Sequence, residues 1–390
     1  MATIRKRSEN TYQFIVSLGL GADKKYKRKY KTYTVKEKMT PKQLKEHLEH
    51  EAYKFEQQVL SEAYITPNEM SVKQFAQEWQ EKWLEKNLSE STIMTYLYTL
   101  NNHILPVLGH LNINKINTLM LLDLMENLKR KDGKDKELSI SSKQEVYKVL
   151  MSLFKRAEEW NVINNNPMLK VKKPKNVRKN KNELNVYDVE EVKQLMETVQ
   201  EELEHWRIFI SLALATGMRR GELLGLEWDA VDLESGVIDI RQTIIKTRNG
   251  SQITSPKWDS KRLISLPQSI LEDLKEFKHH CRKEKMRLQH KWTEKEHDWV
   301  FFNENGRYFY PDTPSRWWKR FLKRKKIRHI RLHDLRHTSA TLLIAQNVHA
   351  KIISERLGHK KISTTMDIYG HALPIADREA SEKLDSILNI

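Results

Sequence analysis

A single cysteine, Cys281, occurs in the 390 residues, so neither an internal disulfide nor a zinc site built from several thiolates is possible. No apolar run approaches the roughly 20 residues that a membrane-spanning helix needs. The basic first thirty residues are not followed by the apolar core of a secretory signal. We therefore expect a cytoplasmic chain with no membrane partner. There is no H-E-x-x-H zinc pattern and no glycine-rich loop ending in Gly-Lys-Ser/Thr, so neither zinc hydrolysis nor ATP chemistry is expected. Internal repeats and long low-complexity tracts are absent as well.

Cations are abundant: 69 Lys and Arg against 52 Asp and Glu give a formal charge of +17. Such a surplus repels itself until something anionic binds, and nucleic acid is the commonest such partner because phosphate neutralisation releases counterions. An anionic membrane surface would need a basic amphipathic anchor, and none is seen. Apolar residues, 39% of the total, suffice for packed cores. The length suits two or three domains.

The patterning predicts a mainly α protein with small β-sheets. Residues 1–65 read as a sheet followed by a helix: a short strand near Ile4, a strand from Tyr12 to Gly19, a turn to Asp23, and a strand from Lys25 to Val35. The last strand sets tyrosines among Lys25, Lys27, Arg28 and Lys29. It reads either as a DNA-contacting face or as a solvated Lys-rich strand. Thr40-Pro41-Lys42-Gln43 starts a helix by a capping box, with Leu44, Leu48, Ala52, Phe55 and Val59 on one face. Residues 66–163 read as helical, with Ser71 and Gln74 capping a first helix that carries Trp79 and Trp83. Further helices are predicted over Ser91–Ile104, Thr118–Leu128 and Ser139–Trp160. Asn164 to Pro167 breaks the last of them. Lys170 to Lys181 holds no acid, so 164–182 reads as a basic linker, with Lys172 and Lys173 as candidate phosphate contacts.

From Glu183 to Ile390 the pattern is mixed α/β. Asp188 caps a helix to about Gln200, and Trp206–Thr216 reads as a buried helix ended by Gly217. Strands are predicted over Val237–Thr247 and Arg262–Leu266, with the Asn-Gly of Arg248 to Ser251 as a tight turn between them. Helices follow at about 268–290, 313–325, 334–345 and 349–356, then two short helical pieces.

Three islands in this region carry candidate chemistry. In Ala215-Thr216-Gly217-Met218-Arg219-Arg220-Gly221-Glu222-Leu223, an arginine falls in the first turn of a helix, where it can cradle phosphate. In His333-Asp334-Leu335-Arg336-His337, His333 and Arg336 share a helical face. His333 and His337 also have zinc-ligand spacing, without the carboxylate base and third ligand that zinc chemistry needs. The third island is Leu357-Gly358-His359, followed by Tyr369-Gly370-His371. Separately each island is weak, because an arginine at a helix start or a tyrosine near a C-terminus is usually structural.

Their order and spacing together resemble the tyrosine recombinase (phage integrase) family: T-G-M-R, then H-D-L-R, then L-G-H, then a tyrosine about ten residues on. The resemblance covers residues 183–390 by motif and 1–160 by architecture alone. It implies an N-terminal arm-type DNA-binding domain, a helical core-binding domain and a catalytic domain over 183–390. Carried over, Arg219 and Arg336 clamp the scissile phosphate, His333 and His359 assist, and Tyr369 is the nucleophile. A hairpin lysine is implied as well, with Lys257 the best match and Lys261 its rival. Glu222 resembles the acidic residue that supports the first arginine or the fold. The implied reaction moves a DNA phosphodiester onto Tyr369 as a 3′-phosphotyrosine, with no metal or other cofactor. The implied partners are duplex attachment sites, a homotetramer on DNA, and excision or host DNA-bending factors. The setting is the nucleoid of a bacterial cell, and the N-terminal sheet favours integration and excision of a mobile element. The segment Pro374–Ile390 packs either on its own domain or on a neighbouring subunit. A type IB topoisomerase and a non-catalytic DNA-binding regulator are the rival functions.

Overall fold

The computed structural model describes residues 3–8, 10–20, 26–35, 39–63, 70–130, 137–175, 185–256, 260–359, 362 and 366. The chain divides into two compact units, Met1–Val177 and Arg178–Ile390, and is mainly helical with small antiparallel sheets, as expected. No described helix is long and apolar enough to cross a membrane.

In the first unit, β1 (Thr3–Lys6), β2 (Thr11–Leu20) and β3 (Tyr26–Thr34) form a sheet in that order. Alternation along β2 turns Tyr12, Phe14 and Val16 toward Leu48, Ala52 and Phe55 of α1 (Pro41–Ala63). The α1 capping box forms: Gln43 N–H donates to Thr40 Oγ1 at 3.4 Å and Thr40 N–H to Gln43 Oε1 at 3.2 Å. The register sorts the residues of β3 between two faces. Phe14 pairs with Lys31 and Ile15 with Tyr30, so adjacent residues of β3 face opposite ways. Lys31 lies on the helix-covered side, 5.7 Å from the Phe55 ring centre. Arg28 and Tyr30 are exposed on the other. Lys27 and Lys29 belong to β3, and Lys25 lies outside the described residues.

A separate helical core follows. The Ser71–Gln74 box starts α2 (Val72–Trp79), which runs through a π-helical turn at Gln80–Leu84 into α3 (Glu85–Asn87). Next come α4 (Glu90–Thr99), a second π turn at Leu100–Ile104, α5 (Leu105–Leu108), α6 (Thr118–Glu126) and α7 (Ile140–Glu159). The predicted end at Ile104 is passed because the π turn resets the hydrogen-bond phase just before Pro106, placing proline in the first turn of α5. The predicted linker is packed at its start. Asn166 caps a 3₁₀ turn at Pro167–Lys170, and Met168 and Val171 are buried in the helical core. Lys172 and Lys173 are exposed just beyond it.

In the second unit, Asp188 and Glu191 cap α8 (Val189–Val199), and α9 (Glu204–Thr216) crosses the core. Trp206 of α9 stacks on Trp317 with ring centres 4.4 Å apart. Then come α10 (Arg220–Leu224), β4 (Val231–Asp232), β5 (Val237–Ile240), β6 (Thr243–Thr247), β7 (Gly250–Thr254) and β8 (Arg262–Ser265). The helices α11 (Gln268–Arg287), α12 (Thr313–Lys325), α13 (Asp334–Ala345) and α14 (Ala350–Leu357) complete the described elements. The strand predicted over Val237–Thr247 is two strands in two sheets: β5 pairs with β4 and β8, β6 with β7. Gln242 marks the break, its side-chain amide donating to Gly225 O at 2.9 Å and to Glu227 Oε1 at 2.5 Å. The tight turn thus joins β6 to β7, with Thr247 facing Gly250, and does not join the two strands predicted around it.

Candidate active site

The second unit gathers most of the described candidate residues around two helix ends. Thr216 accepts the N–H of Met218 at 3.2 Å on its hydroxyl oxygen, and Gly217 closes α9 in the left-handed region at φ 63°. A side chain at 217 would lie 2.3 Å from the Leu357 Cδ2 atom and would be strained at this φ, so glycine suits the close approach of α9 and α14. Gly358 closes α14 in the same way at φ 67°. A helix C-terminus presents unpaired carbonyls and the negative end of its dipole. Two such ends together form an acceptor field for cations.

Arginines fill it. Arg336, 3% exposed, donates from Nη1 to Gly217 O at 2.6 Å and from Nη2 to Leu357 O at 2.5 Å. Arg219 is the N-cap of α10, not a first-turn residue. It donates from Nη2 to Gly358 O at 2.7 Å and from Nη1 to Glu222 Oε1 at 2.6 Å. Arg356 donates to Ala215 O at 2.7 Å, tying α14 to α9. Arg262, which the motifs did not single out, pairs with Glu222 Oε2 at 2.8 Å and is 8% exposed in its side chain.

Glu222 is the buried anion of the cluster. Burial opposes its charge, but the bond from Arg262 and the nearby Arg219 hold its pKa below the ordinary carboxylate value. Burial, with Arg219 adding repulsion, pushes Arg336 down to about 9; it still carries its proton at neutral pH. The cluster therefore keeps a surplus of positive charge.

The histidines stand at the edges of this cluster. His359 directly follows Gly358; burial first, then Arg336 and Arg219, push its pKa down to about 4. His333 is the N-cap of α13, and Asp334 beside it accepts the Arg331 N–H at 2.8 Å and its guanidinium at 2.8 Å. The His333 ring sits edge-on to His337 at 5.3 Å between centres. Packing, then His337 and Arg336, lower His333 to about 4. His333 is nonetheless exposed to solvent as a residue, so water screens part of that effect. Both imidazoles are neutral at pH 7 and can accept or relay a proton. Lys257 and Tyr369 lie outside the described residues, and Lys261 is exposed next to β8. Among the described residues, no group of three or more His, Cys, Asp or Glu is placed to hold a metal ion.

Comparison with known proteins bears on the family and the fold. The sequence pattern of the phage integrase family matches residues 185–374, and that of the phage integrase N-terminal SAM-like domain matches residues 71–128. A tyrosine recombinase of Thermosipho africanus is 31% identical over 241 residues, covering 61% of this chain and 72% of that protein. The chain belongs to the phage integrase family. It is a tyrosine site-specific recombinase. The ICEBs1 integrase of Bacillus subtilis is 29% identical to this recombinase over 300 residues, 75% of this chain and 76% of that one. The solved Tn1549 transposon integrase, in complex with transposon right end DNA, superposes with a TM-score of 0.65 over 81% of this chain and 100% of that one. At 19% identity this likeness shows a shared fold.

The motifs thus named Arg219, His333, Arg336 and His359, with Glu222 as the acid beside Arg219, but not the carbonyls and further arginines of the cluster. Arg262 and Arg356 carried no visible signal in the sequence. Their partners are backbone carbonyls and a carboxylate distant in sequence.

Proposed function

We propose that this recombinase integrates and excises a mobile element by cutting and rejoining duplex DNA at defined attachment sites through a 3′-phosphotyrosine on Tyr369. One observation carries the reading. Arg219 and Arg336 donate to adjacent carbonyls, Gly358 O and Leu357 O, at the chain turn that leads into His359.

In the first step the Tyr369 hydroxyl attacks the scissile phosphorus. The P–O5′ bond breaks, the tyrosine proton passes to a neutral imidazole, and the departing 5′ oxygen takes a proton from Lys257 or Lys261. Arg219 and Arg336 neutralise the charge that grows on the non-bridging oxygens, and such fixed donors lower the barrier more than any other feature of a site of this kind. His359 donates a hydrogen bond there, and His333 accepts or returns the proton at the phenol. In the second step a 5′ hydroxyl from another duplex attacks the phosphotyrosine and releases the phenol. Bond energy is conserved throughout, so no nucleotide is consumed.

Two duplexes exchanging both strands require four cuts, and each chain supplies one such tyrosine, so the working assembly is a tetramer on DNA. Arg28 and Tyr30 on the open face of the N-terminal sheet, together with Lys172 and Lys173, bind flanking DNA away from the cut. The similarity to integrases of mobile elements and the surplus of cations favour this reading over a topoisomerase or a regulator. The reaction takes place in the bacterial cytoplasm, where excision or host DNA-bending factors set its direction.

A nicked duplex spanning the element's end tests the reading. The wild type forms a covalent adduct that survives denaturation and joins two duplexes only when both carry the site. Tyr369→Phe binds the DNA and forms no adduct. Arg336→Ala loses about 100-fold or more in cleavage, as loss of an oxyanion donor does. An adduct with Tyr369→Phe excludes this nucleophile, and joining without site dependence selects the topoisomerase.

A further inference from the structure

Three consecutive carbonyls at the end of α14 each accept a hydrogen bond from a different arginine. Arg356 O accepts Arg262 Nε at 2.8 Å, Leu357 O accepts Arg336 Nη2 at 2.5 Å, and Gly358 O accepts Arg219 Nη2 at 2.7 Å. The carbonyls just before them are met by backbone: Ser354 O by the His359 N–H at 3.0 Å and Glu355 O by the Gly358 N–H at 2.9 Å. The last turn of the helix is thus fully paired, and its final acceptors are reserved for guanidinium groups.

Two of these arginines are the ones assigned to the scissile phosphate. Arg262 is different. Its remaining donors point inward, from Nη1 to Glu222 Oε1 at 3.2 Å and Ser260 O at 3.2 Å, and from Nη2 to Glu222 Oε2 at 2.8 Å. Glu222 in turn holds the Arg219 N–H at 2.9 Å and its Nη1 at 2.6 Å. Arg262 therefore connects the carboxylate that grips one phosphate arginine to the helix end that grips both. It also lies against the cap: a side chain at position 358 would come within 2.9 Å of its Nη1.

We propose that Arg262 is a positioning residue for recombination, fixing the spacing of Arg219 and Arg336 to that of one phosphate before DNA arrives. This rests on the assignment of those two arginines to the scissile phosphate. Chemistry explains why an arginine stands here. A guanidinium reaches a carboxylate and a carbonyl at once through a rigid fork, whereas an ammonium is a single point. A buried ion pair is a weak source of stability compared with apolar packing, so its place beside the clamp argues for geometry. By engaging both oxygens of Glu222, Arg262 also limits how far that anion neutralises Arg219.

The test uses the full chain and the nicked element-end duplex. The first-order rate of adduct formation is measured at saturating DNA, and Kd separately by fluorescence anisotropy. Arg262→Gln should lose about 100-fold in rate, the scale of a misplaced catalytic group, with Kd changed by less than about threefold because clamp placement acts after binding. Arg262→Lys keeps the charge and should fold, yet recover less than about a tenth of the wild-type rate, since one ammonium cannot span both partners. The double variant E222Q/R262Q removes the charge pair together and should be no slower than Arg262→Gln, because both residues act through one unit. A duplex with a methylphosphonate at the cut carries one negative charge fewer and should narrow the Arg262→Gln deficit by about tenfold. A folded Arg262→Lys or double variant that cleaves within about threefold of wild type overturns the proposal. So does a deficit that is equal on both duplexes. Cleavage by Arg336→Ala within about threefold of wild type would instead remove the underlying assignment, whatever Arg262 does.

Discussion

Among the described residues between Val72 and Val171 the buried side chains are apolar apart from Thr99 and Asn166, whereas between Tyr187 and Leu357 the interior also holds Glu222, Asp334 and Arg336. Both regions bury helices with apolar stripes, and both contain a fully buried tryptophan, Trp79 in one and Trp318 in the other. The difference lies in what the interior must present. A helical module that only has to hold its shape can pack hydrocarbon, which is the cheapest way to exclude water. A site that must meet a phosphate needs fixed cations, and fixing them means burying part of their charge. The second region offsets that cost with the carboxylate of Glu222 and the carbonyls of two helix ends.

The comparison breaks most readily at Glu222. Replacing it by glutamine leaves the buried Arg262 guanidinium and the partly exposed Arg219 without their anion, and removing one partner of a buried pair costs about 3–5 kcal/mol. We expect Glu222→Gln to lower the urea midpoint of the second unit and to raise hydrogen exchange in α10 and α14, while α7 keeps its protection. A loss below about 0.5 kcal/mol, the range of ordinary surface changes, would mean that the two interiors are energetically alike.

The opposite substitution sharpens it. Leu150 is fully buried in the helical core, and Leu150→Ala should cost about 3 kcal/mol through the cavity it leaves. Exchange should then rise in α2, α4 and α7. In contrast to Glu222→Gln, the rate of adduct formation at saturating DNA should stay near wild type. A large fall in that rate would tie the helical core to the chemistry.

How much of this was legible in the sequence follows the same division. The helical region was read well because its signals are local: Ser71 and Gln74 three apart, and Val146, Leu150 and Leu153 on one stripe. Its π turns were not, since apolar periodicity does not report a one-residue change in hydrogen-bond phase. In the second region Arg219 and Arg336 were picked out by the resemblance to the family, through Thr216-Gly217-Met218-Arg219 and His333-Asp334-Leu335-Arg336 taken together. Arg262 stayed hidden, as its partners Glu222 and Arg356 lie 40 and 94 residues away. The strand β7, Gly-Ser-Gln-Ile-Thr, has too little apolar alternation to be read, and Gln242 divides β5 from β6 by side-chain bonds that only the fold creates. On β3, composition suggested a basic surface, while pairing with β2 sorts its residues between two faces.

Acid gives the smallest and most selective contrast. Among the described residues, the histidines whose pKa falls are His205, His333, His337 and His359, all in the second unit. His205 is the cleanest case because it lies outside the arginine cluster, against Trp206 and Phe309 with ring centres 5.0 and 5.5 Å away. Burial, with His280 adding repulsion, pushes it down to about 4, against about 6.5 in the unfolded chain. The folded state therefore holds this ring neutral where the unfolded state would protonate it. Its contribution to stability is complete above about pH 6.5 and is lost as pH falls toward 4. Between pH 7 and pH 5 the second unit should lose about 1–2 kcal/mol through this residue. In His205→Phe, which keeps an aromatic ring but cannot titrate, that share of the loss should disappear. Urea midpoints of the two proteins at both pH values measure it. An equal drop in wild type and His205→Phe would show that His205 has no part in the acid response of the second unit, and a drop centred on the helical core would show that the two interiors do not differ in this respect at all.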